Sequence, residues 1–120
     1  MKVVINRCFG GFGLSDSAFE MLMDLRGIEW EKVTPKDRFS YGADYFKKGH
    51  SGDDENYLWC RNLTEDRADK NLVQVVEHLG DKANSAFSEL KIVEIPDDIE
   101  WYVVEYAGME HVAEKHRTWS

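Results

Sequence analysis

Two hydrophobic periods alternate along the chain. "KVVIN" at 2–6 is an unbroken β-branched run that ends in a glycine-rich turn, which predicts a buried strand. The period then becomes helical: Phe19, Leu22 and Met23 recur at helical spacing, continued by Leu25 or Ile28, until Gly27 offers a left-handed stop. Ser17, followed three positions later by Glu20, reads as the capping box of that helix. "IEWEKVT" at 28–34 alternates as a strand, and Pro35 ends it. From 36 to 65 the pattern dissolves. "YLWCRNL" at 57–63 is a short aromatic piece able to pair as a strand, and "GHSGDDEN" at 49–56 has the small and acidic residues of a surface loop. A calcium loop needs oxygens at a fixed alternation that this run does not supply.

A second helix starts at Asp69 as its N-cap, turns Leu72, Val75, Val76 and Leu79 to one side and stops at Gly80. "DKANSAFSE" follows as a loop or a further helical turn. "LKIVEIP" at 90–96 reads as a buried strand ended by Pro96, and Trp101 and Val103 share one strand period, with Tyr106 following in the same segment. Ala107-Gly108 then turns the chain into "MEHVAEKHRTW", giving a C-terminal β-hairpin. The order is strand, helix, strand, loop with short strand, helix and three strands. That is an α+β fold, a small mostly antiparallel sheet with two main helices.

Composition sharpens this in three ways. A chain of 120 residues, 42% of them apolar, fills one core, and no linker or repeat divides it, so a single domain over 1–120 is expected. No apolar segment approaches the roughly 18 residues of a membrane span, and "MKVVINR" turns polar too soon for a signal-peptide core; a cytoplasmic location with reduced Cys8 and Cys60 follows. A net charge of −8 opposes binding to a nucleic-acid polymer, whose affinity rests on many cations neutralising successive phosphates. A compact phosphorylated ligand is different, because a few arginines can grip it on an otherwise acidic body.

The turn "CFGGFGLSDS" at 8–17 lies where dinucleotide fingerprints occur, but its third glycine position is Asp16 and no G-K-[ST] follows. Two readings of it stand: a tight strand-to-helix crossing, or a backbone wall for a ligand, with Phe9 and Phe12 filling the core or stacking on a base. Asp16 places negative charge where a phosphate would lie. Cys8 is a small hydrophobe at a strand end rather than an assignable nucleophile, and the cysteines and histidines show no zinc-type spacing, so neither a catalytic set, a metal nor a cofactor is expected. Arg67 reaches either a ligand near the second helix or a surface partner, Glu65 or Asp66; Asn71 lies just inside that helix. His116-Arg117-Thr118 matches the H-x-[ST] unit of two-histidine phosphodiesterases, but His50, His78 and His111 complete no second unit, so such an enzyme would need a symmetric partner. Arg117 and Thr118 can instead hold a phosphate, beside Trp119.

"KVVINRCFGGFGLSDSAFE", "RADKNLVQVVEHLG" and "LKIVEIPDDIEWYVVEYAGMEHVAEKHRTW" together resemble a group of small bacteriophage proteins. That group includes the first-described type of Thoeris anti-defence protein, a sponge that sequesters the cyclic ADP-ribose signal of TIR-domain immune enzymes. The resemblance implies a non-enzymatic homo-oligomer in the host cytoplasm, a dimer or higher up to a hexamer, with a pocket shared by neighbouring protomers. It also implies that some members hold cyclic oligonucleotides at separate sites. Carried onto this chain, Arg117 and Thr118 become the phosphate contacts, with Asn71 and Arg67 near the second helix and Phe87 as a base stack. The segment 36–63 aligns with no pattern. Two other classes stay open: an enzyme that degrades such a signal through His116 and Thr118 of two subunits, and an acidic inhibitor of a host defence protein.

Overall fold

A computed structural model describes residues 1–34 and 43–115. The first strand, β1 (Lys2–Asn6), buries all but its first residue, as its continuous apolar run requires. It pairs antiparallel with β4 (Leu90–Glu94), Val4 opposite Ile92. Two ten-residue helices, α1 (Asp16–Leu25) and α3 (Lys70–Leu79), pack against this ladder. Leu22 and Ala18 of α1 meet Leu72, Val73, Val75 and Val76 of α3 over Val4, forming the principal core. Each such fully buried aliphatic side chain contributes about 1.5–3 kcal/mol through removal from water.

A second, smaller cluster lies on the other side of α1, where Phe19, Met23 and Tyr45 pack together with Trp30. Its floor is the ladder of β2 (Trp30–Val33) with β3 (Asp44–Lys47), Trp30 opposite Lys47. Edge-on ring contacts tie it together: Phe19 to Tyr45 at 5.1 Å and Trp30 to Tyr45 at 5.5 Å between centroids. The C-terminal hairpin of β5 (Trp101–Tyr106) and β6 (Met109–Glu114) turns at Ala107 and Gly108, both at positive φ. The fold is therefore α+β with small antiparallel sheets and a C-terminal hairpin, as the periodicity predicts.

Three local expectations need correction. The cap of α1 is Ser15, whose Oγ accepts the Ala18 N–H at 3.2 Å, and the Ser17–Glu20 capping box is not formed. Tertiary bonds set that start: the Ser15 N–H donates to Ala83 O and its hydroxyl to Lys82 O, while Glu20 is drawn away to Tyr45 and Lys32. The segment 57–63 is not a strand. Only Tyr57 bridges to Phe46, and Cys60–Leu63 forms one helical turn, α2, closed by Thr64 Oγ1 donating to Cys60 O. Conversely, β3 emerges from a stretch with no readable period, because its partner β2 and the α1 face supply the pattern that its own residues lack.

Asp69 caps α3 as expected, accepting the Leu72 N–H at 3.0 Å, and also takes Arg26 Nη2 at 2.9 Å. Burial by itself would raise its pKa, but the Arg26 hydrogen bond and the Leu72 and Asn71 N–H groups hold the carboxyl below its usual value. A lowered folded-state pKa stabilises the fold above the unfolded value, and that stability disappears as pH falls through the folded value. Replacing Asp69 by Ala should cost about 1–2 kcal/mol near neutrality, chiefly the lost cap. In urea melts the gap between D69A and the parent should narrow below about pH 4.

Candidate functional site

The glycine turn is where the fold's separate ladders are tied together. Asn6, the last residue of β1, is fully buried, and its side chain is completely satisfied: Nδ2 donates to Cys8 O and Gly108 O, while Oδ1 accepts the Glu89 and Cys8 N–H groups. Its backbone N–H donates to Glu110 Oε1 at 2.8 Å. Glu110, 5% exposed on β6, also receives both terminal nitrogens of Arg67, at 2.6 and 3.0 Å. The Arg67 guanidinium lies 3.6 Å from the centre of the Phe12 ring, and its Nε donates to Thr64 O. Arg67 is thus paired with a distant buried carboxylate, not with its neighbours Glu65 or Asp66.

The turn is equally close to the loop before β4. A Cβ built on Gly10 would stand 2.6 Å from Phe87 Cβ and nearer still to the Phe87 carbonyl oxygen, so only glycine permits that approach. Ser88 Oγ donates to Gly13 O at 2.8 Å, and Leu14 bridges to Asn84. These contacts make the turn a packed crossing that fixes the 84–88 loop.

Phe87 then stands 52% exposed on the rim of a cavity of about 620 Å³. Its other walls come from the start of α1 (Ser15, Asp16), from β3 and from the 57–61 segment. That volume falls within the roughly 300–1,000 Å³ of small-molecule sites. Trp59, also 52% exposed, is held against Tyr57 at 4.5 Å, and Tyr57 against Phe46 at 5.2 Å. Burial, then the hydrogen bond it donates to Asp44, pushes the Tyr57 hydroxyl up to about 12, so it stays a fixed donor. Arg61 enters the same cavity, and its guanidinium makes no hydrogen bond or ion pair among the described residues. A second cavity, of about 610 Å³, adjoins the first through Leu14, Cys60 and Arg61, and its wall includes Phe12, Arg67 and Glu110. Burial raises the Cys60 thiol above its ordinary pKa, which keeps it protonated between the two.

The sequence-selected residues are therefore dispersed. Phe12 and Arg67 meet at the second cavity and Phe87 lines the first. Phe9 is largely exposed beside Gly108, and Asn71 is half-buried in the first turn of α3, lining neither cavity. Arg117 and Thr118 lie outside the described residues. Trp59 and Arg61 carried no weight in the sequence reading, although two aromatics and an arginine within "YLWCR" are a legible cluster. Among the described residues no His, Cys, Asp or Glu group is arranged to hold a metal ion, and no helix is long and apolar enough to cross a membrane. Compared with protein-family models, curated proteins and solved structures, the chain matches no family model, no curated protein and no solved structure.

Proposed function

We propose that this protein captures a small phosphorylated nucleotide and holds it without cleaving it. In this reading it is a bacteriophage sponge for a cyclic nucleotide immune signal, such as a cyclic ADP-ribose isomer, acting in the host cytoplasm. One observation supports it above the rest: Arg61, which has no ionic partner among the described residues, shares a ligand-sized cavity with two half-exposed aromatic rings, Trp59 and Phe87. A guanidinium in that state is a phosphate receptor, and the rings offer stacking surface that is already held in place. A sponge needs such prepositioned contacts and no turnover. The raised pKa of Cys60 withholds a thiolate from both cavities. Arg117 and Thr118 act in this proposal as further phosphate contacts, delivered across subunits of a homo-oligomer, and Phe12, Arg67 and Asn71 as supporting residues.

The protein should be purified from cells that produce TIR-type cyclic ADP-ribose signals, denatured, and its small-molecule content identified by mass spectrometry. Intact nucleotide, stoichiometric with protomers, is the expected result. Release of only hydrolysed product identifies an enzyme, and release of no nucleotide from well-folded protein overturns capture. Arg61→Ala and Arg117→Ala should each weaken binding by about tenfold, the worth of one charge-assisted contact.

A further inference from the structure

Only two charged residues line the first cavity among the described residues: Arg61 and Asp16. They do not pair with each other, so the carboxylate and the guanidinium stand more than an ion-pair distance apart across one space. Their placement is also asymmetric. Arg61 lies at the end that opens toward the second cavity, whereas Asp16, with Ala43 and Tyr45, lines only the first. Asp16 Oδ1 accepts the Ala43 N–H at 3.4 Å, and Oδ2 accepts no hydrogen bond among the described residues. An ionised carboxylate is acceptor-only, so the half-buried Asp16 disfavours a phosphate beside it and favours a hydrogen-bond donor.

We infer that Asp16 is a specificity-determining residue that accepts a hydrogen bond from an exocyclic amine of a purine ring, while Arg61 holds the phosphate of the same nucleotide. This rests on the capture reading and narrows its ligand class to amine-bearing purine nucleotides. In this inference the purine ring packs on Trp59 and Phe87, which line the same cavity as the two charged residues. Phosphate at the start of α1, the usual place for an anion on a helix N-terminus, is excluded by Asp16 itself, and the ligand is therefore oriented with its base toward α1.

The test compares ADP with purine riboside 5′-diphosphate, which has the same ring, sugar and phosphates but no exocyclic amine, by isothermal titration calorimetry. The parent protein should bind ADP about tenfold tighter. Asp16→Asn keeps an oxygen for the Ala43 N–H but presents an amide that can rotate to donate, so it should bring the two affinities within about twofold of each other. Removing a negative charge strengthens both ligands together, and the ratio is the readout for that reason. Asp16→Ala, checked for fold by circular dichroism, should erase the preference as well. Equal binding of the two nucleotides by the parent, or a preference that survives in both variants, overturns this inference and leaves capture standing. Binding of neither nucleotide also overturns it, and the recovery experiment above then decides capture on its own evidence.

Discussion

Glu110→Ala is expected to cost about 3 kcal/mol of folding stability, near the lower end for breaking a buried ion pair by removing one partner. The loss has two sources. The Arg67 guanidinium, 17% exposed, keeps its desolvation but loses both hydrogen bonds to the carboxylate, and the buried Asn6 N–H loses its acceptor. The Phe12 ring and the Thr64 carbonyl still hold Arg67, which keeps the cost from rising further. Thermal melts should show a drop of about 10–15 °C for a domain of this size. Glu110→Gln retains an acceptor for Asn6 and should lose about half as much. Replacing both partners, Arg67→Met with Glu110→Leu, should recover much of the loss, since apolar residues of similar volume carry no unpaired charge. A Glu110→Ala protein that melts within 2 °C of the parent would show that the pair does not fasten the hairpin.

Gly108→Ala is expected to be of similar size, about 3 kcal/mol, for a different reason. Gly108 sits at φ +91, a backbone region unfavourable for alanine, and a Cβ there would stand 2.6 Å from Gly11 N and closer to the Phe9 carbonyl oxygen. Both obstacles are backbone, so the hairpin must lift away from the glycine turn. That movement also strains the Asn6 Nδ2 bond to Gly108 O. Gly11→Ala separates the two contributions, because Gly11 has nearly the same φ, +93, with nothing within 4 Å of the added carbon. It should cost about 1 kcal/mol, the conformational part alone. Equal urea midpoints for the two variants would remove the close approach as a stabilising contact.

Both predictions concern one junction, and the site depends on it. Asn6 joins β1, the turn before α1, β4 and the hairpin, and the same turn carries Gly10 against Phe87 and Gly13 against Ser88. Loosening the junction should therefore widen the cavity as well as destabilise the fold. The glycine turn is a packed crossing whose backbone presses on the loop that presents Phe87, and the same 8–17 segment also lines both cavities, Leu14, Ser15 and Asp16 the first and Phe12, Gly13 and Leu14 the second.

The chain's own pattern determined the elements whose burial is local and periodic. β1 follows from a β-branched run, α3 from Asp69, the 72–79 apolar stripe and Gly80, and the hairpin from two alternating segments around Ala107-Gly108. Those signals survive because each residue's face is set by its own element's period. Tertiary structure decided the rest. Ser15 rather than Ser17 caps α1 because Lys82 and Ala83 bind it, β3 exists because β2 pairs with it, and Arg67 finds Glu110 forty-three positions away rather than an adjacent carboxylate. The assembly of the candidate site belongs to that second group, although Phe87 and the "YLWCR" cluster are visible in the sequence. Trp59 and Arg61 come from the 57–61 segment, Asp16 from α1 and Phe87 from the loop before β4, and a cavity is a property of how packed surfaces fail to fill space, which no single segment's periodicity encodes.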